Sequence, residues 1–463
     1  MMEYQEFIDN KNTILKNSGF DVNIESLNPK CFDFQKDIIR WALAKGRCAI
    51  FADCGLGKTL MQLEWADKVC RFTSGSVLIL APLSVAEQTK REGRKFGYNV
   101  TICESQADVK QGINITNYEK LDKFECGTFV GVVLDESSIL KSFTGRIRNQ
   151  IISYFAKTQY KLACTATPAP NDYMELGNHS EFLGIMTRAE MLAMYFVHDG
   201  GQTSKWRLKR HAESIFWQWM ASWSVFISNP TDLGYNVVSY NLPKLNIHEI
   251  IVDGDEPTNE TLTLTERRKA RKDSLEERCK AAADLVNDND EQWIVWCDLN
   301  DESHRLWELC EDSWEIKGSD KAAYKVETMA DFSADMIKCL ITKPSIAGFG
   351  MNWQQCHNMI FVGLSDSYEK YYQALRRCWR FGQEHEVNVY IIISAKEGCV
   401  KDNIERKEQD ALKMKRAMID LTKEITKKEL QTTCRITTEY KAGTEMNLPN
   451  WEEFSNESIR SAN

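Results

Sequence analysis

The chain has 463 residues, a length for two or three domains, and its 43% apolar and 27% charged content excludes a disordered or fibrous protein. A net charge of −9 excludes a globally basic nucleic-acid binder, so any such surface must be a local patch. The fifteen cysteines contain no C-x-x-C pair and the seven histidines no H-x-x-x-H pair, which argues against a zinc site or disulfide framework and for reduced thiols in the cytoplasm.

The acidic amino terminus Met1-Met2-Glu3-Tyr4-Gln5-Glu6 lacks a signal pattern. No apolar run approaches the ~20 residues of a membrane span, so no membrane partner is expected. Residues 1–28 read as a polar lead-in. Phe32 to Ala42 is an amphipathic helix start with Asp33 as N-cap. Its Gln35 carries an amide able to read an adenine edge, although such a glutamine is also ordinary on an exposed helix. The apolar run Cys48–Phe51 then enters Ala52-Asp53-Cys54-Gly55-Leu56-Gly57-Lys58-Thr59, followed by helical spacing from Leu60 to Ala66. Strand, glycine loop and helix is the context of a phosphate-binding loop. Gly55 and Gly57 would let backbone N–H groups close on a polyphosphate, Lys58 would reach the outer phosphates, and Thr59 would offer its hydroxyl to Mg²⁺. Ala52 stands where the usual pattern has its first glycine. The competing reading, a strand-to-helix turn with a surface lysine, is disfavoured by those flanks.

Val77–Pro82 is an apolar run of the kind buried on both faces of a parallel sheet. Ile113–Tyr118 is a further strand, and Phe129–Leu134 runs directly into Asp135-Glu136-Ser137-Ser138. Two adjacent carboxylates at a buried strand's end need compensation, which a nucleotide-bound Mg²⁺ supplies. Asp135 would support the metal and Glu136 would orient and deprotonate a water. An N-cap pair opening the next helix is the alternative. Tyr160–Asn171 is another strand and polar turn, in which Thr165 and Thr167 can bond to the carboxylates or to a moving partner domain. Between these strands Lys141, Arg146, Arg148, Lys157 and Lys161 have no intervening acid. Part of this basic segment suits nucleic-acid contact and part a solvated helix face.

Residues 185–235 break the pattern and read as a helical insert. There Lys205, Trp206 and Arg207 suit phosphate contact plus base stacking, or else aromatic packing on the first domain. Leu242–Leu245 is a linker. A second α/β series follows, with strands at Ile247–Val252, Trp293–Cys297, Ile337–Thr342, Met359–Gly363 and Val387–Ile393 and a charged helix near 260–286. Gly348–Trp353 is a glycine turn. In Gln373–Gln383, Arg377 and Arg380 share a helix face and suit arginine fingers in a split nucleotide site; dipole-stabilising cations are the bland alternative. A charged helix covers about 401–430, and the acidic tail is read as peripheral, with Trp451 available to a protein partner. The divisions expected are 1–28, a first domain 29–240, a second 241–430, and a tail 431–463, each domain a doubly wound parallel α/β unit with its ligand at the strands' carboxyl ends.

Taken in order, these motifs resemble the superfamily-two helicases, most closely their Swi/Snf-type branch, over about residues 30–400. Gln35 falls at the adenine-reading glutamine, and Asp53-Cys54-Gly55-Leu56-Gly57-Lys58-Thr59 matches D-x-G-L-G-K-T. Ile115–Leu121 is similar to I-T-x-Y-E-x-L, Asp135–Lys141 to D-E-A-H-x-L-K, and Thr165-Ala166-Thr167-Pro168 with Asn171 to T-G-T-P-x-x-N. Gly318-Ser319 resembles D-G-S; Gly348, Gly350 and Asn352 resemble G-x-G-x-N; and Gln373, Arg377, Arg380, Gly382 and Gln383 match Q-A-x-x-R-x-x-R-x-G-Q. The resemblance implies two tandem RecA-like domains holding ATP and Mg²⁺ between them, with Gly350 at the nucleotide and Thr165, Thr167, Asn352 and Gln373 in coupling. It implies a DNA helicase or translocase in replication, recombination or repair, with RNA not excluded. The compact length is similar to stand-alone versions in bacteria and their viruses. An ATP-gated DNA clamp is the alternative function, and a P-loop enzyme of small molecules a third. Ser137-Ser138 departs from the family's Ala-His, removing a histidine that couples the site to the threonine turn, and the helical protrusions are shortened to 185–235.

Overall fold

The computed structural model describes residues 17–433 except 83–84, 143, 171, 200–201, 238–239, 241, 254–263, 348–350, 366 and 396–397. Every apolar run singled out above forms a strand. In the first lobe these are β1 (Arg47–Ala52), β2 (Ser76–Ala81), β3 (Val100–Ile102), β4 (Gly112–Asn117), β5 (Gly131–Asp135), β6 (Tyr160–Cys164), a hairpin of β7 (Phe196–Asp199) and β8 (Gln202–Leu208), and β9 (Ser224–Ile227). They alternate with helices α1 (Asp33–Lys45), α2 (Lys58–Thr73), α3 (Ala86–Phe96), α4 (Arg146–Tyr154), α5 (Leu176–Leu183), α6 (Arg188–Tyr195) and α7 (Glu213–Ala221). The sheet runs β3-β4-β2-β5-β6-β1-β9, with every pairing parallel. Helices cover both faces. Along β1, Cys48, Ile50 and Ala52 enter one core while Ala49 and Phe51 enter the other, the period-two alternation of a strand buried on both sides.

The second lobe contains β10 (Leu245–Val252), α8 (Leu264–Asp273), α9 (Leu275–Asn287), β11 (Trp293–Cys297), α10 (Asn300–Leu309), β12 (Ser313–Glu315), α11 (Ala322–Ser333), β13 (Cys339–Thr342), α12 (Pro344–Ala347), β14 (Asn358–Val362), α13 (Tyr368–Leu375), β15 (Val387–Ser394) and α14 (Gly398–Thr433). Its sheet runs β10-β15-β14-β11-β13-β12, again all parallel. Both lobes are thus doubly wound parallel α/β units. No described helix is long and apolar enough to cross a membrane.

Two expectations change. The 185–235 segment is not a purely helical insert: it holds the β7–β8 hairpin, and β9 adds in parallel to β1 as an edge of the main sheet. Ser224-Val225-Phe226-Ile227 was too short a run to be told from a buried helix end by periodicity. The tryptophans are mainly core, with Trp217, Trp219 and Trp223 buried against the first sheet. The charged stretch 401–430, grouped with the second domain, leaves that lobe and crosses to the first. Ala411 packs near the second core, whereas Met418 and Ile419 enter one core of the first lobe and Leu430 the other. Lys45 of α1 pairs with Glu429 at 2.9 Å. The expected tail docking residue, Trp451, lies outside the described residues.

Candidate active site at the junction of the lobes

The phosphate loop leaves β1 and returns as α2. Gly55 and Gly57 sit at φ +88° and +76°, a region that side-chain-bearing residues rarely adopt. A Cβ on Gly57 would also collide with the Gln35 amide, and one on Gly55 would lie 3.1 Å from the Phe381 backbone nitrogen of the second lobe. Gln35 is buried, accepting from the Phe32 N–H at 2.9 Å and donating to the Leu56 carbonyl at 3.0 Å. Its predicted neighbourhood to the loop is therefore present. Lys58 Nζ donates to the carbonyls of Ala52 at 2.9 Å and Asp53 at 3.2 Å. Thr59 follows it, half-buried, at the helix start.

Asp135 ends β5 in the centre of the sheet, facing α2, where Gln62 Nε2 donates to its Oδ1 at 2.8 Å. Burial pushes the Asp135 carboxyl above its ordinary range against the opposing Gln62 hydrogen bond and Lys58 charge. Glu136 is also pushed upward by burial, with Lys58 opposing and Asp135 adding repulsion. The chain turns sharply here. Glu136 adopts φ +53° and ψ 55°, a left-handed conformation that costs about 1–3 kcal/mol in a non-glycine residue and recurs at functional sites. Thr165 Oγ1 donates to Glu136 Oε2 at 3.3 Å and accepts from the Thr167 N–H at 3.1 Å. Thr167 Oγ1 reaches Glu369 of α13 at 3.4 Å, and Lys141 pairs with the same Glu369. The threonine turn therefore joins the carboxylate pair to the second lobe.

Arg377 and Arg380 stand at the end of α13. Arg377 is buried and donates to the Gln373 carbonyl at 2.8 Å and the Met351 carbonyl at 3.0 Å; Arg380 donates to the Met351 carbonyl at 3.1 Å. Burial, then the neighbouring Arg377 charge, lowers Arg380 to about 10. The Arg377 charge also opposes the upward shift of Glu136 from the other lobe, after the larger effects of burial, Lys58 and Asp135. Both arginines end on the segment that carries Asn352. Gly350, expected at the nucleotide, lies outside the described residues, as does Asn171.

Among the buried side-chain atoms of this region, Gln373 Nε2 and Oε1, Asn352 Oδ1 and Arg380 Nε have no partner among the described residues. Polar atoms left so are costly, and here they belong to the motif residues that the sequence pattern assigned to the second half of a nucleotide site. A cavity of about 570 Å³ opens beside the loop, lined by Cys54, Leu56, Tyr240, Arg376 and Phe381. These residues fit a polyphosphate nucleotide with a divalent cation: Thr59 and Asp135 would hold Mg²⁺, which supplies positive charge to the phosphates.

The expected nucleic-acid contacts divide. Arg146 is exposed and lies 3.7 Å from Asp122. Arg148 is a correction: it is buried, paired with Glu181 and donating to Asn149 at 2.8 Å, because α4 turns it onto α5 rather than to solvent. Lys141 is tied to Glu369 across the junction. Trp206 is half-buried with its ring 3.6 Å from that of His198 in the hairpin, and Arg207 is exposed beside it. The side chain of Lys205 lies outside the described residues.

Sequence reasoning missed three residues that join the lobes. Arg376 Nη2 donates to the Cys54 carbonyl at 2.8 Å and lies 3.9 Å from Asp53. Tyr372 donates to Asp53 at 2.7 Å, and Lys415 of α14 pairs with that carboxylate. Burial alone would raise the Asp53 carboxyl, but the Lys415 and Arg376 charges outweigh it and hold the group well below the usual range. The four-residue spacing of Tyr372 and Arg376 placed them on one helix face and was the available signal. Nothing marked Lys415.

The helicase conserved C-terminal domain family matches residues 277–382, which hold α10 to α13 and the arginine motif. No curated protein matches the sequence. A solved structure, the Sulfolobus solfataricus SWI2/SNF2 ATPase core in complex with dsDNA, aligns at 16% identity over 88% of this chain and 98% of that one, with a TM-score of 0.41. The match to a helicase C-terminal domain thus falls in the second of the two parallel-sheet lobes, which the phosphate loop and carboxylate pair of the first lobe face.

Proposed function

We propose that this protein is a DNA-stimulated ATPase of the Swi/Snf-type branch that couples ATP hydrolysis to movement along DNA, acting in replication, recombination or repair. The observation that carries the reading is the split site. Lys58, Thr59 and Asp135 stand on one lobe, and Gln373, Asn352 and Arg380, with buried polar atoms lacking partners among the described residues, stand on the other. Lys58 and the loop N–H groups bind the ATP phosphates, and Gln35 reads the adenine. Glu136 orients the attacking water and takes its proton, held in place by the hydrogen bond from Thr165. Arg377 and Arg380 stabilise charge on the transferring phosphoryl group, a contribution of about 10³–10⁵ in rate where such fingers operate. Closure of the lobes on ATP is relayed through Thr165, Thr167 and Glu369, and reopening moves DNA held on both lobes. Arg146, Arg207 and Trp206 are proposed DNA contacts, gripping the backbone without sequence preference.

The test is the ATPase rate against single-stranded, duplex and forked DNA and RNA at fixed salt, followed by triplex displacement. Stimulation by duplex DNA with third-strand removal supports a duplex-tracking motor. Stimulation without displacement favours an ATP-gated clamp, and indifference to all nucleic acids removes both.

A further inference from the structure

His179 lies on α5, in the helix that follows the threonine turn, and is completely buried. Its Nε2 is 3.1 Å from the Ser137 hydroxyl, one residue beyond the proposed base Glu136. Its ring packs edge-on against Phe51 at 5.1 Å, two residues before Asp53 in the strand that feeds the phosphate loop. The neighbouring Asn178 donates to the Lys141 carbonyl at 3.3 Å. Two adjacent residues of α5 therefore grip both ends of the short turn Ser137–Lys141, whose first end sets the backbone of Glu136 and whose last residue pairs with Glu369 of the second lobe.

A buried imidazole is a costly residue for packing alone, since an apolar side chain of similar volume would fill the space without a polar atom to satisfy. Burial pushes His179 down to about 4, so at neutral pH it is a neutral ring with one N–H and one acceptor nitrogen. It can thus exchange one hydrogen bond with Ser137 without bringing a charge beside Asp135 and Glu136. The left-handed backbone at Glu136 persists only if its surroundings hold it, and the residue immediately after it is held by His179.

We propose that His179 is a positioning residue for hydrolysis, which through Ser137 fixes the orientation of Glu136 and, with Asn178, makes the turn Ser137–Lys141 a rigid link between the base and the second lobe. The inference rests on the ATPase reading given above. It predicts that losing this hydrogen bond lowers turnover while leaving ATP binding in place.

The test is steady-state ATPase of the full chain, with and without duplex DNA, for His179→Leu, His179→Gln, Ser137→Ala and the double variant His179→Leu/Ser137→Ala. His179→Leu and Ser137→Ala should each lower DNA-stimulated kcat by about tenfold, with KM for ATP within about twofold of wild type. The double variant should lose no more than either single change, because both remove one bond, and His179→Gln, which restores a polar group at the position of Nε2, should recover most of the rate. Ser137→Ala is small enough to keep the test open if His179→Leu does not fold. Unchanged kcat in both singles, losses that multiply in the double variant, or a rise in KM instead of a fall in kcat would each overturn the proposal while leaving the ATPase reading standing. A wild-type protein without DNA-stimulated ATPase would remove both.

Discussion

The Tyr372 hydroxyl of α13 donates to the Asp53 carboxylate of the phosphate loop at 2.7 Å, joining residues 319 apart in sequence. Arg376 and Lys415 converge on the same carboxylate, so one buried acid ties the loop to the second lobe and to α14 at once. The nucleotide loop and the arginine motif are therefore held in register by contacts other than those proposed to bind ATP.

Asp53→Asn should destabilise the chain by about 1–3 kcal/mol, since it leaves the buried Arg376 and the half-buried Lys415 facing a neutral amide. The pH dependence has a definite sign. The folded-state pKa of Asp53 lies below its unfolded value, so its contribution is present above that unfolded value, about 4, and is lost as pH falls from there toward the folded pKa. Urea unfolding of wild type and Asp53→Asn across acid pH checks this: the difference between them should shrink as the solution is acidified.

Lys58→Ala should abolish nucleic-acid-stimulated ATPase by removing the phosphate-reaching cation. Glu136→Gln should lower kcat by at least about 10²-fold while retaining ATP binding, measured by fluorescent nucleotide titration alongside turnover. Normal turnover in Glu136→Gln would remove Glu136 from the base role.

Arg380→Ala and Arg376→Ala should separate by readout. Arg380→Ala should abolish stimulated hydrolysis with little change in melting temperature, because its one described side-chain hydrogen bond is to the Met351 carbonyl. Arg376→Ala should lower the melting temperature, because it breaks the buried contacts to Cys54 and Asp53. Paired thermal melts and ATPase assays distinguish them.

Arg146 and Arg148, two residues apart, should behave oppositely. Arg146→Ala should reduce the slope of log binding constant against log salt for duplex DNA by about 1, leaving stability unchanged. Arg148→Ala should cost about 1–3 kcal/mol of stability by taking its buried ion-pair partner from Glu181, with no change in that slope. Equal slopes for wild type and Arg146→Ala would take Arg146 out of the DNA surface.

Met418→Ala should destabilise the first lobe by about 2–5 kcal/mol although it lies in the last helix, because Met418 is buried in that lobe's core. Hydrogen exchange in β1, β9 and α7 is the measurement: faster exchange there supports the docking of α14, and exchange confined to the second lobe contradicts it.

What the sequence determined by itself was local. Strands such as Val77–Ala81 and Trp293–Cys297 were legible because continuous apolar runs bounded by polar turns have few other stable fates than a sheet buried on both faces. The phosphate loop and the carboxylate pair were legible because glycine, lysine and adjacent acids at strand ends carry their chemistry in their spacing. The tertiary structure alone decided which of these meet. Arg148 reads as basic surface until α4 turns it onto Glu181, and the long charged helix reads as part of the second domain until Met418, Ile419 and Leu430 bury its apolar stripe in the first lobe. His179, Tyr372 and Lys415 carry no motif. Their partners lie from 42 to 362 residues away, and a contact made by sheet order and helix packing leaves no local period in the chain from which to read it.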